Sequence, residues 1–205
     1  MTRTASTGRT RRCDEGAFVG LENVREIIFP RHAYERLLQH GRRKLRAEYL
    51  PGEETERKAY GLLGGRLSRP RIEVTRVFPL RRNLRYTQRY KGFVDEIMER
   101  YAVPSDTPFE RRGWIADPRE VMEAERACQA HGGLLFGTYH MHRVPWGDDP
   151  FRDTCTELDA RLAEDSGLWM LILSMVDPER PILRAFFEGR NHHEAAISIR
   201  PTRSP

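Results

Sequence analysis

The segment Gly137-Thr-Tyr-His-Met-His142 carries two imidazoles separated by one residue. On an extended strand, successive side chains alternate between faces, so His140 and His142 point the same way. Two imidazoles on one face of a rigid strand suit a shared metal ion. Catalytic zinc takes three protein ligands and keeps a further position for water. A downstream carboxylate would complete the set, and Asp148, Asp149, Asp153 and Asp159 follow closely in the chain. An H-x-H pair alone is a weak signal, because solvent-facing histidines at strand ends are common. The surroundings strengthen it: a Gly-Gly helix stop before the strand, then a loop, then Thr156-Glu157-Leu158-Asp159. That T-x-x-D is equally the pattern of a plain helix cap, and Thr154-x-x-Glu157 is a capping box of its own.

The elements that must position these groups follow from periodicity. Val24–Pro30 reads as a short strand, and Arg31–Tyr49 as an amphipathic helix, with Gly41 a candidate break, ended by Pro51-Gly52. Ala59–Leu67 and Arg71–Val77 read as paired strands, their glycines marking close backbone approach. Residues 84–113 are an insert with a short helix near Phe93–Tyr101. Asp117-Pro118 opens the next helix, with Val121, Ala124, Ala127 and Cys128 on its buried face. Leu134–His142 is a strand, Thr154–Glu164 a helix, and Leu168–Val176 a buried strand. Pro181–Phe187 and Ala195–Ile199 complete the sheet. The order predicts an α/β (α+β) fold, a mixed sheet with helices packed on it, over residues 21–200. Residues 1–20 lack periodicity and are expected to form a disordered basic arm.

Composition narrows the classes. The chain has 205 residues, 39% hydrophobic and 32% charged, with mean hydropathy −0.68; this is a polar globular domain. The longest apolar run, Leu168–Val176, is too short to span a bilayer. No apolar segment follows the N-terminal arginines, so no secretory signal is expected. Cys13, Cys128 and Cys155 form no C-x-x-C pair, which points to a reducing cytoplasm and against a cysteine zinc site. Net charge is +5. Only Lys44, Lys58 and Lys91 are lysines, so the excess is read as a compositional bias toward arginine. With no helix-turn-helix, RNP or zinc-finger pattern, nucleic acid is not an expected partner.

Taken in order, the motifs resemble those of the JAMM (MPN-type) zinc metalloproteases, over Val24 to Ile199. That family's signature is a Glu before a G-L-L-x-G strand, then G-x-x-H-[ST]-H-P, then S-x-x-D. Gly61-Leu62-Leu63-Gly64-Gly65 is similar to the first strand, and Pro79-Leu80 with Asn83 to a P-L-x-N stretch. Gly137 to His142 and Thr156-x-x-Asp159 follow in the same order. The resemblance implies a cytidine-deaminase-like three-layer fold, a mixed β-sheet flanked by helices with an insert after the second strand. It implies Zn2+ held by His140, His142 and Asp159, with Thr156 stabilising a developing oxyanion. A glutamate would act as general base on the zinc-bound water. The implied activity is hydrolysis of a peptide or isopeptide bond in a protein or peptide substrate, such as a ubiquitin-like or sulfur-carrier conjugate.

The chain departs from the pattern at four points. Met141 and Arg143 replace the hydroxyl residue and the proline around the second histidine. The loop to T-x-x-D is long, and the family's usual spacing would fall on Asp153; Asp159 keeps the whole submotif. The insert exceeds what a minimal domain needs. Lys58 stands where the glutamate is expected, and Glu56, two residues earlier, is the nearest candidate base. Glu96, Glu99 and Glu110 of the insert are alternatives. Lys58 equally fits a catalytically degenerate scaffold that acts through protein–protein contact. The remaining histidines have plain readings: His32 and His40 half-exposed on the first helix, His131 at a helix C-terminus, His192 and His193 in a turn. Cys155 reads as a packed residue, and Trp146 as part of the site rim.

Overall fold

The structure is a computed structural model that describes residues 20–102, 107–143 and 150–201. Most of the basic arm, together with Trp146, Asp148 and Asp149, lies outside the described residues. Seven strands occur among those described: β1 (Glu26–Pro30), β2 (Tyr60–Ser68), β3 (Arg71–Pro79), β4 (Leu134–His142), β5 (Trp169–Ser174), β6 (Ile182–Phe187) and β7 (Glu194–Arg200). Four helices accompany them: α1 (Arg31–Leu45), α2 (Gln88–Tyr101), α3 (Pro118–Gln129) and α4 (Glu157–Ala163). No described helix is long and apolar enough to cross a membrane.

The strands run β1-β3-β2-β4-β5-β6-β7 and close into a barrel. Closure is made by β1, which pairs in parallel with β3 on one side and with β7 on the other. β4 and β5 are also parallel, and the other four pairings are antiparallel. This corrects the expected three-layer, cytidine-deaminase-like JAMM/MPN sheet. The sheet is mixed, as its elements indicate, but it curls until its first and last strands meet. The lateral pairing of β1 with β7 joins residues about 170 positions apart, as in Ile27 with Ile197, and no local period encodes it. The insert leaves from the end of β3, the third strand of the chain.

One strand face is lined by the main core. It draws Phe29, Leu63, Ile72, Tyr139, Leu171, Phe187 and others from all seven strands, with Leu37 and Leu38 of α1. α1 does not break at Gly41. A Cβ there would stand 2.8 Å from Leu173 Cδ2, so the glycine lets the helix lie close to β5. The helix ends at Leu45, before the expected Tyr49, as the chain turns through Ala47 in the left-handed region. The opposite strand face is covered in patches. Ala124 of α3 packs with Leu62, Leu80 and Trp114, while Cys155 packs with Ile172 and Phe186. The helix of the insert starts at Gln88, well before Phe93, and buries Val94 and Met98. α4 is shorter than expected because its cap is Thr156 rather than Thr154.

Candidate metal centre

β4 lies between β2 and β5, paired on both sides: His140 stands opposite Tyr60 and Ile172, and His142 opposite Ser174. Alternation sends Tyr139 and Met141 into the main core and leaves the two imidazoles on the other face. Their Nε2 atoms are 3.0 Å apart. α4 supplies the third group. Thr156 caps this helix, and Asp159 at its third position completes a capping box. Asp159 Oδ2 accepts from the Thr156 amide and from its hydroxyl, each at 2.8 Å, while the Asp159 amide donates to Thr156 Oγ1 at 3.2 Å. So held, Asp159 Oδ1 is 3.3 Å from His140 Nε2 and Oδ2 is 3.7 Å from His142 Nε2. The three ligand atoms lie within 4.8 Å of one another.

The donor set fits a divalent cation. His142 Nδ1 meets the Arg152 carbonyl at 3.0 Å. A carbonyl can only accept, so that nitrogen carries the proton and Nε2 turns its lone pair inward, as a ligating histidine requires. His140 is 5% exposed. Burial, reinforced by His142 and opposed by Asp159, lowers its pKa to about 4, so the ring is neutral near pH 7. Its plane is set by a stack: the Tyr60 ring lies 5.3 Å away at 16°, and Trp114 lies 5.0 Å beyond Tyr60 at 15°.

The triad opens on a cavity of about 170 Å³. Met98, Ala102 and Leu162 form apolar wall, and Lys58, Arg112 and Arg143 bring cations. Among the described residues, Asp159 is the sole carboxylate that lines it. Lys58, Thr107 and Arg143 also line a neighbouring cleft of about 680 Å³. Glu56 lies in that cleft, not in the cavity. It accepts from Tyr86 and from Asn83 Nδ2, and its Oε2 is 3.3 Å from Lys58 Nζ. Lys58 also donates to the Gly113 carbonyl at 3.3 Å. Burial lowers its pKa, against the pull of Glu56.

The structure therefore brings together His140, His142, Asp159 and Thr156, and sets Glu56 one side chain behind Lys58. Asp153 stands apart from the triad, its Oδ2 2.9 Å from Arg152 Nε. Thr156 has its hydroxyl hydrogen committed to Asp159, so it positions the carboxylate; the expected oxyanion contact would need that same hydrogen. Glu96 and Glu99 are exposed on α2, and Glu110 lines the neighbouring cleft. Sequence reasoning missed Tyr60 and Trp114. Tyr60 was findable in principle, since the pairing of the two motif strands puts it beside the first histidine. It also missed His40, which is 2% exposed and bonded to the Tyr139 hydroxyl at 2.8 Å, not half-exposed.

No protein-family model and no curated protein matches the chain. Solved structures do. A solution structure of a protein from Desulfitobacterium hafniense is 26% identical, covers 85% of this chain and 93% of its own, and superposes with a TM-score of 0.56. A solution structure from Salinibacter ruber is 18% identical, with 87% and 94% covered and a TM-score of 0.45.

Proposed function

We propose that this chain is a metal-dependent hydrolase of the cytoplasm that cuts peptide or isopeptide bonds, with Zn2+ as the metal. The observation that carries the reading is the convergence of His140 Nε2, His142 Nε2 and an Asp159 oxygen within 4.8 Å beside a part-enclosed cavity. The order of motifs shared with the JAMM metalloproteases supports the activity and a ubiquitin-like or sulfur-carrier conjugate as substrate; the closed barrel is not that family's expected layering and adds nothing to it. The free, buried Cys128 and Cys155 support a reducing compartment.

When bound, the metal supplies a Lewis acid and lowers the pKa of a coordinated water toward about 7. The protein's own groups do the rest. The Tyr60–Trp114 stack and the Arg152 carbonyl orient the two imidazoles. Thr156 orients Asp159. Met98, Ala102 and Leu162 reduce water around the reacting bond. Proton transfer falls to the Glu56–Lys58 pair: Lys58 lines the cavity, and Glu56, 3.3 Å from its Nζ, would receive or return the proton. A second reading has one observation in its favour. Because Glu56 does not line the cavity, the metal would be held without turnover, and the domain would act as a scaffold.

Metal analysis and peptide cleavage separate these readings. About one zinc per chain is expected, lost in His140→Ala together with cleavage. Glu56→Gln is expected to keep zinc and abolish cleavage. Zinc without cleavage in the wild-type chain would select the scaffold, and no zinc would end the hydrolase reading and leave a metal-free scaffold.

A further inference from the structure

Two guanidinium groups meet at one residue on the cavity wall. Arg143 Nη2 donates to Thr107 Oγ1 at 3.3 Å, and Arg112 Nε donates to the Thr107 carbonyl at 2.7 Å. Both arginines are half-buried, and both line the cavity that holds His140, His142 and Asp159. Arg143 directly follows His142 in the chain, so the strand that places the second imidazole also fixes the start of this side chain. Among the described residues, Arg143 forms no ion pair. Asp159, the single carboxylate of the cavity among the described residues, is held by Thr156 and faces the histidines.

We infer that the Arg112–Thr107–Arg143 corner is a carboxylate-binding subsite, and that the substrate carries a carboxylate next to the bond to be cut. The bond to be cut rests on the hydrolase reading; the binding itself does not. The chemistry is direct. A guanidinium presents a planar fork of N–H donors that matches a carboxylate in two parallel hydrogen bonds. A part-enclosed, partly apolar cavity focuses the field of its charges, so two such groups attract an anion more strongly there than on an open surface. A divalent ion on the triad would add positive charge on the same side. The subsite also gives Arg143 a use in the position where the resembling family has proline. Lys58 is already engaged by Glu56 and Gly113 and is not needed for it.

The carboxylate could be a substrate side chain or a free C-terminus, and three small probes distinguish them. N-acetylglutamate α-amide carries only the side-chain carboxylate, N-acetylglutamine only the terminal one, and N-acetylglutamine amide carries neither. Their equilibrium binding to the full chain is measured by NMR titration, with and without zinc. At least one acid is expected to bind about tenfold tighter than the neutral amide, the size of one charged hydrogen-bonded contact. The acid that does so names the source. The preference should persist without zinc, disappear in Arg143→Gln and return in part in Arg143→Lys, with the amide spectrum showing each variant folded. Equal binding of all three probes overturns the inference. So does a preference that survives Arg143→Gln or vanishes when zinc is removed. Failure of peptide cleavage with the binding preference intact would instead count against the hydrolase reading alone.

Discussion

At the scale of single residues, the site is a set of imposed orientations. His140 is fixed by an aromatic stack, His142 by a backbone carbonyl, and Asp159 by Thr156. The last of these is the easiest to test. Thr156→Ala removes the hydroxyl that donates to Asp159 and accepts from its amide, and leaves all three ligand atoms in place. Groups that orient ligands are worth roughly 10- to 100-fold in metal affinity, so zinc competition with a chelator should show a loss in that range. Asp153→Asn, outside the triad, should show none. The convergence of His140, His142 and Asp159 was legible because a period of two and a capping pattern are local facts: H-x-H fixes a shared face, and T-x-x-D fixes a helix start. The choice between Asp153 and Asp159 stayed open in the sequence, because both follow the histidines along an irregular loop. The place of Glu56 was not legible either. It lies before β2 begins at Tyr60, where strand alternation no longer tells which way a side chain points.

At the scale of elements, two stiff pieces are held at a fixed separation, and Gly137 shows how tightly. It lies on β4 opposite Trp169 of β5, where an added Cβ would stand 2.7 Å from the Trp169 carbonyl oxygen. Backbone cannot give way there as a side-chain tip can. Gly137→Ala is expected to destabilise the fold by about 1–3 kcal/mol, the usual range for overpacking, read as a lower melting temperature. Because His140 shares that strand, zinc affinity should fall with it. Most elements were legible to within a few residues. α2 starts five residues before Phe93; two other exceptions have local causes. α1 stops early because Ala47 turns left-handed, and α4 starts late because Thr156 and Asp159 cap each other, leaving Thr154 outside.

At the scale of the whole molecule, a buried polar cluster ties α1 to the segment that leads into the site. Glu53 accepts from both Arg43 nitrogens at 2.6 Å and lies 3.5 Å from Lys44 Nζ, while His40 bonds Tyr139 beneath β4. Burial, helped by Lys44 and Arg43, lowers the His40 pKa to about 4. Burial raises the Glu53 carboxyl, but Arg43, the Leu50 amide and Lys44 outweigh it and bring it down to about 2. The two shifts act in the same direction. Between about pH 6.5 and 4 the unfolded chain binds the histidine proton that the folded one refuses, so stability falls as pH falls. Below about 4.5 the unfolded chain also takes up the Glu53 proton first, and the loss continues toward pH 2. Urea midpoints from pH 7 to 3 should decline steadily for the metal-free chain. His40→Gln, which never charges, should flatten the upper part of that decline by ~3 kcal/mol or less; His140 keeps the remainder. The closed barrel was the part least written in the sequence. Each strand announces itself, yet the meeting of β1 with β7 depends on how far the sheet curls, which is a property of all seven strands together.

That closure also limits how another polypeptide can be engaged. Many proteins that grip extended peptides do so by letting the guest join a sheet as one more strand, exchanging main-chain hydrogen bonds along an exposed border. Here the first and last strands have taken each other as neighbours over Glu26–Pro30, so that seam presents no border for such an addition. At that seam a polypeptide guest could be met only through side chains and the segments between strands, so its residue types, rather than its ability to extend, would be the feature that is read there.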